Sequence, residues 1–449
     1  MNDAPHTFEV PPRSDLEPWV ARSLEAARKQ GASGAEADVS ITRGLSITVR
    51  KNEVESVEFH HDRGLSLTVF FGQRSGSAST ADLSDKGLAE MVQAACDIAR
   101  ASGEDPAAGL ADAALMAKEF PDLDLDHPWP LATNDAIELA RQCEAAALAV
   151  DKRITQTEGA SLHTSRSIEL YGNTHGFAGV RPGASHFISC SAIASDGDGM
   201  QRDDWYTAGC HPDDLEKPGD VGRTAGRRAV ARLGSRAIGT RRAPVLFAPD
   251  MAKSLLGHFV AAISGGALYR KASFLLDKAG QQVFSPNVQL VQQPFLRRGA
   301  ASAAFDREGV ATRDRLLVDK GVLQGYVLGS YAARKLGLQT TGNAGGVYNL
   351  VARPGDLGHD ALVKEMGEGL IVTELMGQGV NTVTGDYSRG AAGFWVQNGA
   401  IAHPVEEITI AGNLAEMFKN VRALGADVDT RSGIRCGSML IEGMTLAGS

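Results

Sequence analysis

The stretch Leu65-Ser66-Leu67-Thr68-Val69-Phe70-Phe71 decides the fold class. Leu65, Leu67, Val69 and Phe71 fall on every second position, with Ser66 and Thr68 between them. That is the period of a strand with one buried face. Working outward, Leu45, Ile47 and Val49 repeat the pattern and Val57 and Phe59 continue it, with Asn52-Glu53 and Arg63-Gly64 as candidate turns. Upstream, Leu16, Val20, Leu24 and Ala27 share one face of a helix over 16–30 that Gly31 and Gly34 end. Downstream, Leu88, Met91, Val92, Ala95 and Ile98 share one face of a helix over 84–101. The N-terminal part therefore reads as a helix–sheet–helix unit.

A Gly/Ala/Asp/Pro-rich stretch over 102–132 reads as a linker. An Ala-rich helix over 134–150 follows, then strand patterns at Ser167 to Leu170 and His186 to Ala194, then a helix from Val221 to Leu233. Beyond 264 the chain is mostly short β segments with Gly turns. Trp395-Val396-Gln397, Asn398-Gly399, Ala400-Ile401-Ala402 is a hairpin signal, because Asn-Gly supplies the positive φ of a type I′ turn. Glu406 to Ile410 reads as a strand and Asn413 to Leu424 as a short helix. The expected fold is α+β in three parts: a helix–sheet–helix domain over 1–110, a middle α+β domain over 111–240, and a β-rich C-terminal domain over 241–449.

At 449 residues, the chain has room for two or three cores. The net charge of −9 argues against nucleic acid or a membrane surface as partner. Five widely spaced cysteines without a Cys-x-x-Cys fit a reducing compartment better than a disulfide framework or a zinc ribbon. The polar, Pro-containing start does not resemble a signal peptide, and no apolar run reaches the ~20 residues of a membrane span. A cytoplasmic location is expected.

The segment Leu255-Leu256-Gly257-His258-Phe259-Val260-Ala261-Ala262-Ile263 reads as a buried helix, with Asp250 as its N-cap and Ser264-Gly265-Gly266 as its stop. Leu255, Leu256, Phe259, Val260 and Ile263 form its core stripe. A zinc peptidase helix needs two His ligands and a Glu within a turn or two. Here His258 is followed four residues later by Ala262. A lone His on an apolar helix reads as a core His bonded to a neighbour. Asp306 and Glu308 could share a strand face as an acid/base pair, though Asp-x-Glu-Gly is also ordinary turn composition. Asp196-Gly197-Asp198-Gly199 departs from a calcium loop and reads as a surface turn. The run of Arg223, Arg227, Arg228, Arg232, Arg236, Arg241 and Arg242 reads as a solvated helix face. No nucleophile elbow or phosphate loop is present, and Gly377-Gln378-Gly379 lacks the third Gly of a dinucleotide fingerprint. The hairpins of 377–403 either complete a β core or offer an edge to an extended peptide.

Several blocks, in order, resemble the PmbA (TldE) branch of the TldD/PmbA metallopeptidase family. They are Gly265-Gly266-Ala267-Leu268-Tyr269-Arg270-Lys271-Ala272-Ser273-Phe274-Leu275-Leu276, Phe305-Asp306-Arg307-Glu308-Gly309-Val310-Ala311-Thr312, and Thr341-Gly342-Asn343-Ala344-Gly345-Gly346. Thr384-Gly385-Asp386-Tyr387-Ser388-Arg389-Gly390 and Gly393-Phe394-Trp395 follow, and the chain closes on Glu406 to Leu414 and Leu440 to Thr445. The resemblance implies a subunit of a two-chain peptidase acting on small unfolded peptides. The TldD-type sister chain would hold a zinc-like divalent metal with a His-Glu-x-x-x-His helix and a later Cys. In this sequence the corresponding slots hold Gly257, His258 and Ala262, so no catalytic, cofactor or metal residue is expected here. His258, His403 and Cys436 are the alternative ligand set if the chain binds metal itself. Gly265, Gly266, Gly377, Gly379 and Asn381 are the expected contacts with the sister chain or peptide. A homodimer is the fallback assembly. An older name for the family, modulator of DNA gyrase, keeps open a non-enzymatic binding role.

Overall fold

A computed structural model describes residues 5–197 and 199–448. Helix α1 (Arg13–Lys29), strands β1 (Gly34–Arg50), β2 (Glu53–Phe71) and β3 (Arg74–Thr80) and helix α2 (Asp85–Ala101) follow in the expected order. Lys51 and Asn52 make the β1–β2 turn at φ 54° and 61°. Arg63-Gly64 is not a turn: the β1–β2 ladder runs straight through it, with Gly64 opposite Ser40. In α2 the buried stripe is Leu88, Met91, Val92, Ala95, Cys96 and Ala99, while Ile98 is exposed.

Helix α3 (Thr133–Leu148), strands β4 (Ile154–Asn173), β5 (Ala178–Ser195) and β6 (Met200–Gly209) and helix α4 (Pro218–Ala231) come next. The six strands form one antiparallel sheet in the order β3-β2-β1-β4-β5-β6. β1 pairs with β4 from Glu36 to Val49, so residues 1–110 and 111–240 share a single sheet. Odd-numbered residues of β1 point to the helices. Ala35, Ala37 and Val39 pack under α1 and α2, and Leu45, Ile47 and Val49 under α3 and α4. The alternate residues Glu36, Asp38 and Ser40 are polar and face residues of the C-terminal half. The stretch over 102–132 is bound into the fold rather than free: Met116 bridges Val310, and the Ala117 amide donates to the Gly309 carbonyl.

The C-terminal half opens on β7 (Arg241–Phe247), α5 (Pro249–Ala262) and α6 (Gly265–Tyr269). Strands β8 (Leu290–Gln292), β9 (Arg315–Asp319) and β10 (Val322–Leu323), helix α7 (Ser330–Lys335), strand β11 (Leu350–Ala352) and helix α8 (His359–Met366) follow. The chain ends with β12 (Gly369–Met376), β13 (Asp386–Gln397), β14 (Ala400–Asn413), α9 (Leu414–Lys419), β15 (Val421–Leu424), β16 (Ile434–Arg435) and β17 (Met439–Ala447). β10-β9-β8-β11-β16 is a small sheet. In the larger one, β14-β13-β12-β7-β17-β15, an added β14–β17 pairing closes five strands into a ring. Asn398 and Gly399 form the expected turn at φ 53° and 72°. The helix expected over 413–424 stops at Lys419, because Val421 to Leu424 pair with β17. Packed against both C-terminal sheets, α5 buries Leu255, Leu256 and Phe259, with Ile263 just beyond its end. Phe259 meets Phe284 edge-on at 5.0 Å. Among the described residues, no helix is long and apolar enough to cross a membrane.

Candidate functional site

Helix α5 begins two residues earlier than an Asp250 cap would place it. Pro249 takes the first helical position, where its missing N–H costs nothing, and Ala248 stands at the cap without a side-chain bond. Asp250 lies in the first turn, paired with Arg431 at 2.8 Å and Lys253 at 3.3 Å. Helix α5 ends at Ala262, where the Ser264 amide and hydroxyl both donate to the Ala261 carbonyl. Ser264 also caps α6, accepting the Ala267 amide. At the slots, the position a Cβ would take on Gly257 has no neighbour within 4 Å. Ala262 is fully buried, and its carbonyl accepts the Ser273 hydroxyl at 2.6 Å. His258 lies between these environments, half-buried, with its ring edge-on to Tyr387 at 6.2 Å. Its Nε2 is buried and has no hydrogen-bond partner among the described residues, against the expectation of a bonded core His. Burial first, and then the nearby Arg389 charge, hold its pKa below the ordinary imidazole value.

The residues present do not fit a metal. His403 sits on β14 opposite Trp395, with Nδ1 3.1 Å from the Pro404 carbonyl. Cys436 is fully buried, its thiol donates to the Gly437 carbonyl at 3.1 Å, and burial pushes its pKa up to about 12. Among the described residues, no three His, Cys, Asp or Glu side chains stand together as a metal site, so His258, His403 and Cys436 are not assembled into one.

A buried ion cluster occupies the neighbourhood instead. Asp429 accepts Lys253 Nζ at 2.5 Å, and Arg431 Nε and Nη2 at 2.9 Å each. Arg431 also donates to the Tyr206 carbonyl at 2.6 Å and lies over the Trp205 ring at 4.3 Å. This ties the start of α5 and the segment before β16 to β6 of the first sheet. Burial alone would raise the Asp429 pKa, but hydrogen bonds from Arg431 and Lys253 outweigh it and hold the carboxyl well below the usual range. The sequence reading missed this cluster. A signal was available: Asp250 and Lys253 are three apart on an otherwise apolar helix.

The expected contact residues divide. Gly265 is buried, and an added Cβ there would run into Ala332, so it is closed to a partner or peptide. Gly266 is half-buried near the Arg270 guanidinium. Gly377, Gly379 and Asn381 are exposed on the β12–β13 connection, where Gly379 accepts the Ser388 amide and the Asn381 side chain accepts the Val383 amide. The hairpins of 377–403 complete the closed ring, with β13 paired on both sides. Asp306 is not on a strand facing Glu308. It is buried in a turn and accepts the Glu308, Val310 and Ala344 amides. The basic run is partly internal: Arg228 and Arg232 pair with buried Asp203, and Arg232 also pairs with Glu374. Asp196 accepts the Gly199 amide in a surface turn, and Asp198 lies outside the described residues.

A sheet covered by helices on one face, joined to a closed β ring with α5 packed against it, defines an α+β architecture. The comparisons narrow this. Residues 35–99, 126–233 and 240–448 match domain 1, the central domain and the C-terminal domain of the PmbA/TldA metallopeptidases. The chain is 48% identical to the metalloprotease PmbA of Escherichia coli over 97% of both. It is 24% identical to a metalloprotease TldD homolog of Haemophilus influenzae over 86% of this chain and 84% of that one. A Bacteroides thetaiotaomicron protein described as a candidate modulator of DNA gyrase superposes with a TM-score of 0.92 at 29% identity, covering 97% of this chain and 99% of that one. The chain belongs to the PmbA/TldD metallopeptidase family.

Proposed function

We propose that this chain is the metal-free, PmbA-type subunit of a cytoplasmic two-chain peptidase acting on small unfolded peptides. Hydrolysis is assigned to the metal site of a TldD-type sister chain, and this chain shapes the peptide chamber and stabilises its partner. The observation that carries the reading is α5: the helix keeps its place in the core while its slots hold Gly257, His258 and Ala262. A cleft of about 970 Å³ supports it, since Leu115, Phe120, Phe295 and Val310 give apolar walls that suit unfolded peptides of varied sequence. Similarity to a TldD homolog as well as to PmbA fits a pair of related chains.

The test is co-purification with the sister chain, followed by peptide-cleavage assays on each chain and on the mixture. Cleavage that needs the mixture, with the metal bound by the sister chain, is the expected result. Cleavage by this chain alone at the rate of the mixture would sink the reading, as would a stoichiometric metal lost on His258→Ala.

A further inference from the structure

A second cleft, of about 680 Å³, opens between the first sheet and the C-terminal half. Its walls carry four arginines, Arg297, Arg298, Arg431 and Arg435, against one carboxylate, Asp214. On a chain of net charge −9 this is a local reversal of sign. Three of the four are balanced. Arg297 pairs with Asp124, Arg298 with Asp124 and Asp214, and Arg431 with Asp429 and Asp250. Arg435 is different. It stands half-buried on β16, and no hydrogen bond, ion pair or ring contact reaches its guanidinium among the described residues. Its Nε is sealed from solvent without an acceptor. Burial alone lowers its pKa from the ordinary arginine value, and no carboxylate raises it again.

A half-buried guanidinium with a sealed, acceptor-less Nε and no counter-charge is not explained by folding alone. It is balanced when an oxyanion enters, because a guanidinium offers two parallel N–H donors to a carboxylate or phosphate. Ser185 and Thr430 line the same cleft and add hydroxyl groups beside the guanidinium. We propose that this cleft is a binding site for the C-terminal carboxylate of a peptide, with Arg435 as its anchor. The choice of a peptide over a free oxyanion rests on the peptide-handling function proposed above; the unbalanced charge does not. The site lies next in sequence to Cys436 and one ion pair from α5, through Arg431 and Asp250. A peptide held here by its terminus would be anchored beside the degenerate metal helix.

The test uses the full-length chain and N-terminally labelled hexaalanine, as the free acid and as the C-terminal amide, titrated by fluorescence anisotropy at low salt. Loss of a bidentate charge-assisted contact corresponds to about tenfold to a hundredfold in affinity, so the free acid should bind tighter than the amide by that factor. Arg435→Met should erase the preference without lowering the thermal midpoint, since it removes a cation that nothing in the fold balances. Arg435→Lys should keep part of it. Equal binding of acid and amide by the unaltered chain overturns the proposal, and so does a preference that survives Arg435→Met. Inorganic phosphate binding at Arg435 without any acid-over-amide preference would overturn the peptide assignment. Equal cleavage of both peptides by the two-chain mixture, with no acid preference in binding, would leave the peptidase reading standing and remove only this one.

Discussion

Replacing Asp429 with Asn should loosen the joint between α5 and the first sheet. Lys253 and Arg431 meet Asp250 and Asp429 in one cluster, with side chains 5% to 22% exposed. The four charges cancel; Asp429→Asn leaves two cations sharing one carboxylate. At an effective dielectric of about 20, one contact at 2.9 Å amounts to roughly 6 kcal/mol before desolvation is subtracted. Breaking buried pairs costs ~3–5 kcal/mol, and because Asp250 remains to hold both cations, we expect about 3 kcal/mol here. Urea unfolding followed by tryptophan fluorescence is the assay, since Trp205 lies under Arg431 and reports the joint directly. Adding Lys253→Met to Asp429→Asn removes the surplus cation and should restore part of the loss. A single-variant cost below ~1 kcal/mol, or a double variant no better than the single, would refute the electrostatic account. Acid sensitivity follows from the depressed Asp429 pKa. Its contribution is complete above the unfolded carboxylate value of about 4 and is lost as pH falls toward the native value, so Asp429→Asn should flatten the acid limb of the stability profile.

Gly257→Ala should stabilise the chain by roughly 0.5–1 kcal/mol, because the new methyl meets open space in a helix interior. A lowered urea midpoint would contradict that, and a raised midpoint with weaker cleavage by the mixture would mark the space as used by peptide or partner. Gly222→Ala should cost ~1–3 kcal/mol in the same assay, since its Cβ would overlap the Cys143 carbonyl where α4 crosses α3; a neutral result would mean the helices can separate freely. Burial, partly offset by the Tyr171 hydrogen bond and reinforced by Glu308 and Asp38, raises the Glu36 pKa from 4.5 to about 7. The stability tied to that proton is complete below pH 4.5 and lost as pH rises to about 7. Glu36→Gln should therefore gain up to about 3 kcal/mol at pH 8 and flatten the profile between those values; an unchanged slope would rule out Glu36 as its source.

What the sequence revealed was what neighbours along the chain decide. The period of Leu65 to Phe71 and the stripe of α5 are local, and both elements stand where the pattern put them. Val57 and Phe59 show the same alternation yet are exposed, because α1 and α2 cover only the far half of β2 and α3 and α4 lie over β1, β4 and β5. Arg63-Gly64 has turn chemistry, but a ladder to β1 on both sides of it overrides local preference. The β14–β17 closure and the Lys253–Asp429 contact join residues distant in sequence, and no local pattern announces them.

The candidate site divides along the same line. Gly257, His258 and Ala262 were matched to the sister chain's His-Glu-x-x-x-His slots by the family resemblance, and one helix fixes their spacing. What surrounds each position could not be read, because it depends on what packs against the helix from elsewhere. Gly257 faces open space, so a side chain could return there at little cost. Ala262 lies on the core side, fully buried, with its carbonyl bound by Ser273 from beyond α6. A His at 262 would have to displace packed atoms, at ~1–3 kcal/mol or more. Cys436 is closed off too, its thiol fully buried and bound to the next carbonyl. Position 257 is open and position 262 is packed. Introducing Gly257→His and His258→Glu should therefore place two polar side chains on the accessible part of the helix and still fail to give metal binding by metal analysis of the purified variant, because position 262 is packed in the core.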